Sequence, residues 1–347
     1  MRIIFVLSFV LLLVIVACDN SQIRDKKEFP LHLRLIAEKQ EINEIIKPVN
    51  ITIHNNLLII QNDRIPGASC FYVYTLDSLE YLYSFGELGG SDEEFVSPLI
   101  CRDNGSNLFY VFDQRTRKLK SFDITDTGAT LKDDIRINES TGRPFQEAVM
   151  LNDSILLYLS VDNYIVSYNI NAENTIDSIG FETGLNDILG SNYSQSIDFF
   201  HFTNYEDKIA IGHNFIDKLT VDACSNDGRF KLGETSIEKF VHRTYASELY
   251  DNIYRYVYMY STSDWIFGQY SGYKFKALQP FPMNTGKRHF DFLMEVYDWN
   301  LKPKALLEFD NDFFRCVVDE KRKRIITWDF LNDFDFLLVY DYSALDE

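Results

Sequence analysis

A repeat runs through this chain. A polar turn, a short apolar strand, a second polar turn and a further strand recur about every 50 residues. Six copies are visible: Asn56–Glu80, Asn107–Ile124, Asp153–Ile170, Asp207–Cys224, Asn252–Tyr270 and Lys323–Tyr342. The strands are bounded by Asn, Asp, Gly and Ser, which favour turns because they tolerate unusual φ or hydrogen-bond locally. Aromatic residues make up 15% of the chain, and large flat side chains suit sheets packed face to face. Radial repetition of small sheets is one of the few ways a long all-β chain protects its edges. The pattern therefore predicts an all-β fold: a six-bladed β-propeller of four-stranded antiparallel blades.

The ends of the repeat sharpen this expectation. The first blade would use Val49–His54, Leu57–Gln61, Cys70–Thr75 and Glu80–Phe85. The last offers Phe313–Val318, Ile325–Asp329 and Phe336–Tyr340 and then stops short of a fourth strand. Leu31–Ala37 is a spare strand near the start, and it is expected to complete the last blade, closing the ring with an N-terminal strand. Ile36–Ile46 has the spacing of a short helix. A pair of β-sandwiches would require a Pro/Gly/Ser-rich linker near the middle, and a parallel β-helix would require a shorter repeat.

Residues 1–17 have the layout of a signal peptide, with one Arg, an apolar run and a small residue before the cut. Ile15-Val16-Ala17-Cys18 resembles the lipobox of bacterial lipoproteins, which implies that Cys18 is lipidated and becomes the new N-terminus. The apolar run is shorter than the roughly 20 residues a membrane span requires, so the membrane is expected to be reached through the lipid anchor only. Residues 18–29 then read as a flexible tether and 30–347 as the propeller. The implied location is the bacterial cell envelope, with the outer membrane or cell surface favoured over the inner membrane and the leaflet left open by the sequence.

The stretch from Ser84 to Ile124 carries a second resemblance. Phe85-Gly86-Glu87-Leu88-Gly89-Gly90-Ser91-Asp92-Glu93-Glu94-Phe95 is similar to the corner F-G-x-x-G-x-G-P-G-E-F of six-bladed, TolB-like propeller lipoproteins of Bacteroidetes. Gly86, Gly89, Glu94 and Phe95 match, and Ser91-Asp92-Glu93 replaces the inner Gly-Pro-Gly. Glu295–Asn300 with Pro303 and Leu306–Asp310, and Val318–Glu320 with Arg324–Ile326, look like that family's late strands. The resemblance implies a fold and a compartment; the family has no assigned activity. The residues themselves support a structural corner: glycines permit positive φ, Glu94 can accept from backbone N–H groups, and Phe95 can pack between blades.

The formal net charge is -18, which repels phosphates and argues against nucleic-acid partners. G-x-S-x-G, P-loop and H-E-x-x-H motifs are absent from the sequence. His201 and His213 fall in neighbouring strands and are weak metal candidates, with Asp198 or Asp217 as a third ligand. Asp and Asn cluster at turns, as calcium sites do, but no calcium-loop pattern accompanies them; no cofactor is expected. Cys70, Cys101, Cys224 and Cys316 lack zinc spacing and read as buried free thiols rather than disulfides. The long connection Ser271–Phe290 is the candidate binding segment, through Tyr273, Lys274, Lys276, Arg288 and His289. Together these features describe a monomeric binding module for an envelope protein, glycan or small-molecule ligand. The alternative is a metal-assisted hydrolase or lyase with its site at the mouth of the central channel.

Overall fold

The computed structural model describes residues 28–45, 47–91, 94–103, 106–137, 147–160, 164–180, 200–213, 217–240, 256–270, 293–311, 313–329 and 333–346. Turn chemistry cuts this chain into short strands. Asn55, Arg117, Glu173, Glu206, Leu301 and Lys323 each sit in a hairpin turn with φ of 54°, 60°, 52°, 50°, 58° and 53°. That left-handed backbone reverses the chain with the twist that antiparallel strands need.

Two strands come first, β1 (Leu31–Leu35) and β2 (Glu38–Glu41). A meander follows: β3 (Pro48–His54), β4 (Leu57–Asn62), β5 (Phe71–Thr75) and β6 (Tyr81–Phe85). The next is β7 (Pro98–Asp103), β8 (Phe109–Asp113), β9 (Lys118–Thr125) and β10 (Gly128–Arg136). Then come β11 (Glu147–Asn152), β12 (Ile155–Leu159), β13 (Tyr164–Asn169) and β14 (Asn174–Gly180). The fourth is β15 (Phe200–Tyr205), β16 (Lys208–His213), β17 (Asp217–Cys224) and β18 (Phe230–Phe240). After it lie β19 (Tyr256–Ser261), β20 (Trp265–Tyr270), β21 (Leu293–Asp298) and β22 (Pro303–Phe309). The last strands are β23 (Cys316–Asp319), β24 (Arg324–Asp329) and β25 (Asp333–Asp341), followed by a 3-10 turn, Ser343–Asp346. The described residues contain no α-helix.

Hydrogen bonding groups these strands into five sheets, because β7 and β11 pair in parallel at Arg102–Val149 and Asp103–Met150 and so join two meanders. The arrangement is a propeller-like set of small antiparallel sheets. Strands such as β4 (LLIIQN) and β12 (ILLYL) are buried along their whole length, since each sheet is covered on both faces. Successive apolar clusters fill the gaps. Phe71, Phe95 and Phe109 join the first meander to the second, and Tyr110, Met150 and Tyr158 the second to the third. Leu157 packs with Phe202, Leu219 with Met259, and Val296 with Ile325. Finally Leu58, Ile60 and Trp328 bring the last sheet back against the first.

The start of the chain differs from the sequence-based expectation. Leu31–Leu35 pairs in parallel with β22, Leu31 opposite Ala305 and Leu35 opposite Phe309. Glu38–Glu41 is the strand that completes the last sheet, antiparallel to β25, with Glu38 opposite Val339 and Glu41 opposite Phe336. The reason lies in their side chains. Leu31, Leu33 and Leu35 alternate along β1 and need an apolar cleft, which the Met294, Val296 and Leu307 cluster supplies. Every residue of β2 is exposed; backbone pairing holds it, with Lys39 Nζ 5.3 Å from the Phe336 ring centre, so no apolar pattern betrays it. The helical spacing over Ile36–Ile46 is likewise misleading. Ile42 and Ile45 are buried anchors against the Leu58 and Trp328 cluster just after β2.

Candidate functional site

Strand β3 neighbours β7 and β23, β7 neighbours β11, and β19 neighbours β15 and β23, while Glu147 of β11 reaches His201 and the Phe202 N–H of β15. Each of these strands supplies, from its length or from the residue just before it, one polar or aromatic side chain to a shared cavity or its wall. Asn50 is the third residue of β3, Arg102 the fifth of β7, Glu147 the first of β11, His201 the second of β15 and Tyr258 the third of β19; Arg315 directly precedes β23. The cavity has a volume of about 470 Å³, and five of these six residues line it, with His201 behind them. The Asn55-Asn56 turn and the Glu320–Arg322 turn also line it.

The side chains form a continuous arc. Arg102 Nη2 lies 2.6 Å from Glu147 Oε1. Arg102 also donates to Phe202 O and, at 3.0 Å, to Met259 O, so it ties β7 to β15 and β19. Its Nε is buried with no hydrogen-bond partner among the described residues. Glu147 Oε2 lies 3.3 Å from His201 Nδ1 and accepts from Phe202 N–H at 3.4 Å. The His201 and Tyr258 ring centres lie 4.6 Å apart, the planes tilted by 49°, and the Arg315 guanidinium carbon sits 4.4 Å from the Tyr258 ring centre. Arg315 Nη1 donates to Asn50 Oδ1 at 3.2 Å.

Electrostatics at the arc are dominated by its cations. Burial works to raise the Glu147 carboxyl, but the charge of Arg102, the hydrogen bond and charge of His201 and the charge of Arg315 outweigh it, and the group is pulled down to about 2. Glu147 is therefore ionised throughout the ordinary pH range. Burial raises the Tyr258 phenol, and the negative charge of Glu147 adds to this, against the opposing pull of Arg315.

The residues singled out from sequence fall in several places. Gly86 has φ of 75°, and a Cβ there would come within 2.9 Å of the Phe95 ring, so this position requires glycine. A side chain at Gly89 would run into the Glu94 carboxylate, which accepts from Ser91 N–H at 2.7 Å. Phe95 is fully buried, edge-on to Phe71 at 5.4 Å and capped by Lys120 Nζ at 4.8 Å. This corner joins two meanders and lies away from the cavity. His213 pairs with Phe200 and His201 with Gly212, so alternation sends the two imidazoles to opposite faces of the sheet, which removes the basis for a shared metal site. Among the described residues no three His, Cys, Asp or Glu side chains converge as metal ligands. Cys70, Cys101, Cys224 and Cys316 are buried and free. Burial pushes the Cys70 thiol up to about 11 and those of Cys101 and Cys224 up to about 12. Cys18 and Asp198 lie outside the described residues, as do Tyr273, Lys274, Lys276, Arg288 and His289.

Sequence reasoning did not find Arg102, Glu147, Tyr258, Arg315 or Asn50. The repeat is most regular over the second and third strands of each copy, whereas these residues lie in or beside the first. A usable signal was the charge inside an apolar first strand, as with Arg102 in PLICRD or at the start of EAVMLN.

No family model matches the chain, and no curated protein matches it. Among solved structures, the chain is similar to a member of the DUF4221 family from Bacteroides vulgatus, with 12% identity, a TM-score of 0.61, and coverage of 88% of this chain and 97% of the other. It is also similar to a Bacteroides fragilis protein described as exported, with 13% identity, a TM-score of 0.55, and coverage of 90% and 98%. At these identities the likeness carries the fold alone.

Proposed function

We propose that this chain is an exported, lipid-anchored, six-bladed propeller of TolB-like type whose central cavity holds a small ligand: a binding module of the cell envelope. The count of six is supported by the apolar clusters, which link successive meanders and return from the last sheet to the first. Export and anchoring at Cys18 are supported by the apolar leader and its Ile15–Cys18 ending.

The observation that carries the binding role is the arc from Asn50 through Arg315, Tyr258, His201 and Glu147 to Arg102, beside a cavity of about 470 Å³. Cavities of roughly 300–1,000 Å³ with a few convergent polar groups are the usual form of small-molecule sites. Fold alone fixes no activity, so the site has to carry the reading. The test is a thermal-shift screen of a chemically mixed metabolite library against the full chain in detergent. Ser261 lines the cavity, so Ser261→Phe places a ring in it. Compounds that raise the unfolding temperature of the wild type are expected to lose that effect in Ser261→Phe. A library without a single stabilising member, or hits indifferent to the substitution, would sink the reading.

A further inference from the structure

The cavity is cationic inside an acidic protein. The chain carries a net charge of -18, yet the cavity lining holds one more basic than acidic residue. Within the arc the two guanidiniums differ. Arg102 is engaged with Glu147 and two backbone carbonyls. Arg315 is only partly exposed, and its side-chain partners are neutral: the Asn50 amide and the ring and hydroxyl of Tyr258. No carboxylate is paired with it among the described residues. A guanidinium presents five N–H donors in a fork that fits planar oxyanions. Arg315 keeps part of its surface open, its charge reaches Glu147 without a direct ion pair, and its hydrogen bonds to Asn50 and the Tyr258 hydroxyl leave donors of the fork for a ligand. The buried, unpartnered Arg102 Nε is a second unspent donor at the same cavity.

Around these donors the lining is mixed: Ile53 and Val317 are apolar, Tyr258 and Tyr260 aromatic, and Thr52 and Asn55 polar. From this combination we infer that the cavity takes a small organic oxyanion, its carboxylate or phosphate held in the fork of Arg315 and its organic body against that mixed lining. The inference rests on the cavity being a ligand site. It adds the chemical class of the ligand and the residue that selects it. Asn50 fixes the guanidinium from one side and Tyr258 supports its face, so both are positioning residues. Glu147 holds Arg102 in place, and it repels an anion that strays from the Arg315 side.

The test uses matched probes on the full chain in detergent. Benzoate and phenyl phosphate are compared with benzamide and benzylamine, with binding read by calorimetry and by shift in unfolding temperature. The two anions are expected to bind saturably, and the neutral and cationic probes at least tenfold more weakly. Arg315→Gln is expected to weaken the anions at least tenfold while leaving benzamide unchanged. Arg315→Lys, which keeps charge but loses the fork, is expected to fall between. Preference for benzoate over phenyl phosphate, or the reverse, identifies which oxyanion the fork suits. Two results overturn the inference: anions no better than benzamide, or anion binding untouched in Arg315→Gln. If neutral and anionic probes bind alike and both are lost in Ser261→Phe, the cavity remains a ligand site and only the anion assignment falls.

Discussion

At the scale of single residues, Glu147 makes the site sensitive to acid. Its carboxyl is held at about 2, below the ordinary value of 4.5. The folded protein therefore keeps Glu147 ionised where the unfolded chain would already bind a proton. Its contribution to stability is complete above about pH 5 and is lost as the pH falls through 4.5 toward 2. A shift of this size is worth about 3 kcal/mol at neutral pH. Glu147→Gln is expected to lower stability at pH 7 by about that amount, because Arg102 is left without its counter-ion. It is also expected to flatten the decline between pH 5 and pH 3. Urea unfolding of both proteins across this range measures the difference, and parallel curves would show that Glu147 does not govern it. Little of this was legible in the sequence. Glu147 is one of many acidic residues, and its partners Arg102 and His201 are 45 and 54 positions away. The Gly86–Phe95 corner could be read because its contacts are local: Gly86, Glu94 and Phe95 meet within a single turn.

Among elements, β1 and β2 show how the chain closes. Their pairings leave the outer edges of β22 and β25 covered. Side chains reinforce the seam between the first and last sheets. Arg322 bonds Asp77 and Asp319, and Arg324 donates to Leu76 O at 2.7 Å and to Asp319 at 2.9 Å. A chain beginning at Ile42 keeps this seam but bares two strand edges and the cleft filled by Leu31, Leu33 and Leu35. Each leucine fully withdrawn from water stabilises by roughly 1.5–3 kcal/mol, and uncovered edges template association. The shortened chain is expected to melt at lower temperature and to associate as concentration rises. Calorimetry and light scattering check this, and an unchanged melting point with a monomeric profile would show that the two strands are dispensable. The apolar alternation of β1 announced a strand, but its partner is set by which cleft the leucines fill. β2 carries no apolar residue at all, so its place is set by backbone hydrogen bonds and the contact of Lys39 with the Phe336 ring.

For the whole molecule, charge acts on the fold as well as on the cavity. A net charge of -18 repels itself most strongly in the folded state, where the charges are closest. Screening lengths fall from about 30 Å at 0.01 M salt to about 8 Å at 0.15 M. The unfolding temperature is therefore expected to rise over that range of sodium chloride in scanning calorimetry. A fall would mean that ion pairs such as Arg322 with Asp77 and Asp319 outweigh the repulsion. At this scale the sequence by itself determined a great deal. The recurrence of short apolar strands between polar turns fixed an all-β chain built of small sheets, because strand and turn preferences act over a few residues and repeat with the chain. The glycine corner followed from the same local logic. Only the tertiary structure decided which N-terminal strand completes the last sheet, that His201 and His213 face apart, and that Asn50, Arg102, Glu147, His201, Tyr258 and Arg315 meet. Those six stand on or directly beside separate strands and meet only because the sheets are brought round a common centre, a long-range geometry that no local pattern of residues encodes.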